Sequence, residues 1–452
     1  SKILLGKKTR GYISYLRGEN PASFPIRLHP DHNKDSLCIH PNKNKEQYHD
    51  KNIYNDDDKK INFLKLYRDD FQGPQMERYI GKLEIYARNK KPLTLPEISN
   101  FKQLSNIYYP SDSIEESSKL DDAFKENNGK YSYIDKDLPF LDEEYIADYS
   151  IKIRNIIEKV KTSEGIIFIF SEFLGSGLIP LALALEHAGF KRYGHDRDLL
   201  DYPDFRKSKK TKTKKEPYHI YPHNHKDKDK QGKLELKSNI PDGEKFNQAR
   251  YVLLTGNKDL SPNNDEEIDA LRSDKNISGD VVKIILGSDK TAEGLDFKRI
   301  REIHVLEPWF HLNKMEQIVG RGIRFCSHED LDKEKRNVTV YLHTGFLEDK
   351  DTVDIFIYKN AEKKAKEIGE IETILKENAV DCYLNNDINH IKKKDVNKIK
   401  LISSQNKIKV KKPFDKNNTK VCSYTNCKIN CKNQSMDDSI KDYSTINYDL
   451  LE

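Results

Sequence analysis

Between residues 151 and 380 short apolar runs alternate with amphipathic stretches. The runs IIFIF (166–170), YVLL (251–254), VKIIL (282–286), EIHVL (302–306) and NVTVYLH (337–343) have the length and the β-branched content of strands. Stretches 176–188, 264–273, 313–322 and 352–377 repeat apolar positions three and four apart and read as helices that follow most of those strands. Strand and helix in alternation predict an α/β fold, a parallel sheet wrapped by helices on both faces. Ligands of such sheets sit at the carboxyl ends of strands, so the residues just after 286 and just after 306 carry the first interest.

Elsewhere the pattern changes. Residues 61–150 open with FLKLYRDDFQGPQMERYIGKLEIYARN, whose apolar spacing predicts a helical connector. Residues 33–60 and 203–249 mix Asn, Asp, Lys and His without apolar period and read as partly disordered insertions; His219, His223 and His225 are expected to be solvated there. A segment 1–32 precedes them, and 381–452 reads as a basic, Cys-containing tail. Residues 165–185 are long enough to span a bilayer, but Glu172, Gly175-Ser176-Gly177 and Pro180 interrupt them. They predict a buried strand and helix, with no membrane partner. The same interruption defeats a dinucleotide-binding reading of FLGSGL, because Pro180 takes the third glycine position of that pattern.

Charged residues form 34% of the chain and the mean hydropathy is -0.84, which confines the core to part of the length. A net charge of +5 is weak, but Lys and Arg cluster at 206–215 and 391–412, and either run can grip phosphates or form a solvated loop. Six cysteines are too few and too uneven for a secreted disulfide scaffold, so a reducing compartment is expected. Cys422, Cys427 and Cys431, in CSYTNCKINC, leave two readings open: zinc ligands completed by a distant histidine, or reduced thiols in a flexible tail.

The loop GSDKTAEGLDF (287–297) presents Thr291, Glu293, Gly294 and Asp296, and its glycines permit close approach to a ribose or a nucleic-acid backbone. In EPWFHLNKMEQIVGRGIR (307–324), Gln317, Arg321 and Arg324 lie four and three apart and share one helix face. Gly320 and Gly322 flank Arg321. A glycine inside a helix costs about 1 kcal/mol, so each asks for a reason. A guanidinium fork that fits phosphate oxygens, left uncrowded, is such a reason.

TAEGLDF followed by QIVGRGIR resembles motifs V and VI of superfamily 2 helicases, in the remodeller-like branch of poxviruses and giant DNA viruses. RGYISYLRGENPASFP (10–25), QLSNIYYP (103–110), EGIIFIFSEFLGSGLIPLALALEHAGF (164–190) and AEKKAKEIGEIETILKENAVDCYLN (361–385) resemble the same branch. The resemblance implies a RecA-like second helicase lobe at 151–380 and, for the intact protein, ATP-dependent helicase or translocase activity serving viral transcription. It implies ATP and Mg2+ as cofactors, and a viral factory in the cytoplasm, or the virion, as location. Implied partners are nucleic acid (DNA or RNA), a first RecA-like lobe in the same or a companion chain, and a viral RNA polymerase.

By the same resemblance, Arg321 and Arg324 would be catalytic at the γ-phosphate and Gln317 would couple the lobes. Glu293, Gly294, Asp296 and Gly320 would face the nucleotide, and Thr291 and Ser171 the nucleic acid. The sequence contains no GxxxxGK[ST] loop, and no DExx-type acidic box follows an apolar strand at the required distance. The phosphate loop and Mg2+ ligands are therefore expected on the first lobe, and residues 1–32 resemble inter-lobe sequence. The chain is expected to be a fragment or split product, inactive alone. The alternatives are a non-catalytic interaction module that retains the fold, and a subunit supplying its arginines in trans.

Overall fold

Each of the five apolar runs becomes a strand of one sheet in the computed structural model, which describes residues 2–30, 38–39, 61–89, 93–110, 119–195, 198–201, 216–289 and 295–432. In chain order the sheet strands are β1 (Ile26–Leu28), β2 (Cys38–Ile39), β3 (Leu66–Asp70), β4 (Ile166–Phe170), β5 (Lys191–Arg192), β6 (Arg250–Leu254), β7 (Ile284–Gly287), β8 (Ile300–Val305) and β9 (Asn337–Phe346). The main helices are α1 (Lys2–Thr9), α2 (Gly73–Asn89), α3 (Leu95–Asn106), α4 (Ile151–Thr162), α5 (Ile179–His187), α6 (Asn264–Arg272), α7 (Leu312–Val319), α8 (Val353–Glu377) and α9 (Cys382–Asn389).

Two units emerge. The larger holds Pro21–Glu362 and Ile399–Lys411; the smaller holds Ser1–Asn20, Lys363–Lys398 and Lys412–Glu452. In the larger, the sheet runs β2-β3-β9-β8-β4-β7-β6-β5, and β1 pairs with β9 on the same edge as β3. Among the described strands of this sheet only the β2 to β3 pairing is antiparallel.

The centre of this sheet explains its sequence. Every residue of β4 is buried, as a strand covered on both faces requires. Helix α5, apolar on all sides, is buried along its whole length, and Pro180 sits in its first turn, where a missing N–H costs nothing. Helix α4 starts at Ser150, whose hydroxyl accepts the Ile153 N–H.

Several expectations need correction. Residues 61–150 are not a separate helical connector: β3 lies in them and pairs with β9 through Leu66–Asp70. The run LYRDD hid this strand because Asp69 looks solvated, yet it is fully buried, bonded to His343, Asn155 and the Thr344 N–H. The supposed tail is divided too, since an antiparallel hairpin, Ile399–Ile402 with Ile408–Lys411, belongs to the larger unit. Within 203–249, strands Tyr218–Ile220 and Leu234–Leu236 pair, and His219 is fully buried rather than solvated. Its Nδ1 accepts the Asn247 N–H, and burial lowers its pKa. The basic run 206–215 and residues 33–60, apart from 38–39, lie outside the described residues.

The cysteines do not form the expected zinc set or stay reduced. Cys382 pairs with Cys431 and Cys422 with Cys427, so none of the four offers a thiolate. Spacing inside CSYTNCKINC could not reveal a partner 49 residues earlier.

Buried polar groups form a layer on one face of β3, β9 and β8. His343 Nδ1 lies 2.9 Å from Asp69, His343 and His304 approach at 3.0 Å, and His304 Nε2 lies 3.2 Å from Glu302. Glu302 also accepts from Ser404 and Gln405. Burial alone would raise the Glu302 pKa, but these donors outweigh it and hold the carboxyl below its ordinary range.

Glu186 of α5 behaves differently. It accepts the N–H groups of Leu199 (3.0 Å) and Leu200 (2.7 Å) and the Tyr251 hydroxyl (2.7 Å), yet burial pushes its pKa up to about 7 from 4.5. Between those values the folded chain keeps a proton that the unfolded chain has released. The resulting stabilisation is full below pH 4.5, shrinks as pH rises, and is gone above about 7. Glu186→Gln is expected to remove about 3 kcal/mol of this decline across that window, read from urea midpoints against pH. An unchanged slope would refute the assignment.

Candidate active site

The carboxyl ends of β7 and β8 deliver the two loops singled out by sequence. After β7 the chain passes Ser288 and Asp289; Thr291, Glu293 and Gly294 lie outside the described residues, and the chain is described again from Leu295. After β8 come Glu307, Trp309 and α7, whose Lys314 pairs with Asp289 at 2.6 Å and so ties α7 to the end of β7.

Helix α7 stops at Val319, short of the predicted 322. Gly320 caps it, and Arg321 and Arg324 stand on the following turn rather than on one helical face with Gln317. Gly322 explains the turn, since a Cβ there would lie 3.0 to 3.1 Å from the side chains of Ile300 and Ile303. Its backbone presses against β8 at a distance suited to glycine. The glycines thus direct the chain back onto the sheet.

That turn meets the returning loop. Phe297 N–H donates to Arg321 O at 3.1 Å, and the Arg321 guanidinium reaches Leu295 O at 3.5 Å. Arg324 pairs with Asp296 at 2.8 Å and donates from Nε to Gly320 O at 3.1 Å. The ion-paired side chains of Arg324 and Asp296 are 42% and 51% exposed, and the other terminal nitrogen of Arg324 has no partner among the described residues. Asp296, Gly320, Arg321 and Arg324 therefore converge. Gln317 is exposed on α7, and its side chain makes no hydrogen bond or ion pair among the described residues.

A second set lies at the ends of β4 and β8, and sequence reasoning missed most of it. Glu307 accepts Ser171 Oγ and Asn106 Nδ2, each at 2.5 Å, and the Glu172 N–H at 3.2 Å. Burial raises the Glu307 pKa even against those bonds. Ser171 is fully buried and committed to Glu307, so it fixes the loop after β4 and does not present itself to a ligand. A Cβ on Gly177 would fall 2.0 Å from the Ser171 hydroxyl, which accounts for that glycine.

Trp309, the single tryptophan of the chain, is half-buried beside this set. Lys102 of α3 lies 4.8 Å from its ring and 5.3 Å from that of Phe173, and Lys314 lies 5.6 Å from Trp309. Beneath them, Lys152 of α4 is fully buried. Its ammonium donates to Asp354 (2.7 Å), Leu306 O (2.8 Å) and Asn106 (3.3 Å). The sequence signal for Trp309 was an aromatic at a strand end; Lys102 and Lys152 gave none.

Parallel strands, helices on both faces and a polar site at the strand ends define an α/β lobe of the RecA-like type. Comparison with known proteins agrees: the chain is similar to proteins named as helicases and as termination factor homologs in large DNA viruses. It is 26% identical over 383 residues, 83% of this chain, to the mimivirus protein named "Putative ATP-dependent RNA helicase R563". It is 28% identical over 298 residues, 64% of this chain, to "Putative helicase 087L" of Invertebrate iridescent virus 3. To the termination factor NPH-I homolog of African swine fever virus it is 29% identical over 263 residues, 54% of this chain. The matches cover 50%, 24% and 34% of those proteins, so the chain spans half or less of their length. No protein-family model matches the chain. Among the described residues no helix is long and apolar enough to cross a membrane.

Proposed function

We propose that this chain carries the second motor lobe of an ATP-dependent helicase or translocase acting on DNA or RNA, with motifs V and VI at the ends of β7 and β8. The observation that carries the reading is the meeting of Asp296, Arg321 and Arg324 at those two strand ends. Arg324 presents a half-exposed guanidinium, held by one carboxylate, that can turn to phosphate oxygens as their charge grows. Asp296 orients it until then. Arg321, gripped through its backbone by Phe297, keeps the two loops in register.

ATP would lie between this lobe and another that bears a GK[ST] loop, in the same or a companion chain. Gly294, Glu293 and Gly320 would line the nucleotide side, Thr291 the nucleic acid, and Gln317, exposed on α7, would meet the opposing lobe. Mg2+ would be held by the other lobe in this reading. The protein would serve viral transcription, with the viral RNA polymerase as partner and the viral factory or virion as place; the name of the African swine fever virus relative, a termination factor homolog, favours the transcriptional role alone.

The test is phosphate release with and without an oligonucleotide, from this chain alone and from the chain joined to a lobe with a GK[ST] loop. Release is expected from the joined protein only. Robust release by the chain alone would overturn the division of labour.

A further inference from the structure

Sixteen large apolar side chains stay exposed among the described residues, and ten belong to the smaller unit. Six of the ten form one strip. Ser14 Oγ and Tyr15 N–H donate to Asp381 at the start of α9, at 2.6 and 2.9 Å. At its end, Asn389 donates to Tyr15 O (2.9 Å) and accepts the Arg17 N–H (2.7 Å). The extended segment 12–17 thus runs along α9, with Tyr12 and Leu16 turned outward. Helix α9 turns out Tyr383, Leu384 and Ile388, and Val380, whose N–H bonds Ile13 O, joins them. Tyr12 is 87% and Tyr383 79% exposed.

The strip is set in positive charge. The described residues of this unit carry eighteen Lys and Arg against nine Asp and Glu, although the whole chain is only +5. Lys7, Lys8 and Arg10 precede Tyr12, and Lys393 and Lys394 follow α9. A contiguous apolar strip of this kind marks an interaction surface. Leu16, Leu384 and Ile388 offer no ring for a base to stack on, so the occupant is a polypeptide. Like charge opposes a second copy of the same surface.

We propose that the occupant is residues 433–452 of this chain, which lie outside the described residues. Their point of departure is beside the strip: Cys431 is disulfide-bonded to Cys382, the residue before Tyr383, with a Cα separation of 5.7 Å, and Lys432 N–H bonds Glu377 O. Their charge is opposite, with Asp437, Asp438, Asp442, Asp449 and Glu452 against Lys441. Their apolar residues include Met436, Ile440 and Tyr443, four and three apart, then Leu450 and Leu451. Twenty residues reach up to roughly 66 Å when extended, while α9 is only about 12 Å long, so the strip is within reach. The segment covers the strip in cis and must be displaced by any acidic, apolar protein that uses the same surface.

The test is titration of a fluorescein-labelled peptide of residues 433–452 with the chain truncated after Lys432, and with the intact chain. Binding to the truncated chain is expected with Kd on the order of micromolar. Binding to the intact chain is expected to be on the order of a thousandfold weaker, because the tethered copy has a millimolar effective concentration. Leu384→Ser with Ile388→Ser in the truncated chain is expected to weaken the peptide at least about tenfold, as is about 0.5 M NaCl. In the intact chain, Ile440→Asp with Tyr443→Asp is expected to raise bis-ANS fluorescence with an unchanged melting temperature, which tests the idea without truncation. Failure of the peptide to bind together with unchanged dye fluorescence overturns the proposal. So does a truncated chain that dimerises through the strip, or one that takes oligo(dT) there in place of the peptide.

Discussion

Arg324→Ala, in a two-lobe protein that hydrolyses ATP, is expected to lower turnover by about 10³-fold or more while KM for ATP changes less than about tenfold. The asymmetry follows from when the guanidinium acts. In the structure Arg324 is held by Asp296 across an ion pair of which both members are about half exposed. Such a pair is worth at most about 1 kcal/mol, so little opposes its release toward a phosphate. Charge developing on the transferred group is what the fork meets, and its loss therefore falls on kcat. Arg324→Lys keeps the charge but not the planar fork, and is expected to recover only a small part of the loss. Steady-state kinetics with a saturating oligonucleotide decide the matter: turnover within about threefold of the parent would remove Arg324 from the reaction.

Asp354→Ala is expected to cost about 3 to 5 kcal/mol of folding stability, measured by urea unfolding. Asp354 and Lys152 are both fully buried and 2.7 Å apart. Removing the carboxylate leaves an ammonium whose remaining acceptors, Leu306 O and Asn106 Oδ1, are neutral. It also strips the partner from Ser105 Oγ (2.6 Å) and the Gly345 N–H (2.9 Å). The double variant Lys152→Met with Asp354→Leu removes both charges and is expected to recover much of the loss, since buried pairs are often replaceable by apolar side chains. A single variant within about 1 kcal/mol of the parent would refute the assignment.

The strands β4 and β6 to β9 were readable because their apolar runs are buried on both faces, and α6 and α8 because their apolar stripes repeat. β3 and the hairpin at 399–411 were not, for a shared reason. Asp69 and Ser404 look solvated in sequence and become buried, and Gln405 partly so, by pairing with His343 and Glu302, which lie far away along the chain. The same holds in the site. Asp296, Arg321 and Arg324 announce themselves by order and spacing, whereas Lys102 meets Glu172 only when α3 packs on the loop after β4, and Lys152 meets Asp354 only when α4 packs on α8. The predicted helix 313–322 ran past its end because a glycine's use as a close contact, Gly322 on Ile300 and Ile303, depends on a neighbour that spacing does not reveal.

The shared edge of β9 bears on how the chain is made. Ile26 pairs with Asn337 and Leu66 with Leu342, so two strands synthesised early await a partner that emerges about 310 and 280 residues later. At about 5 to 20 residues per second that wait lasts tens of seconds. Through it, β1 and the edge of β3 opposite β2 must travel unpaired on the nascent chain. The charges of LYRDD, of which Asp69 is buried once β9 arrives while Arg68 and Asp70 stay partly exposed, are well suited to keeping that waiting edge from joining a neighbouring nascent chain.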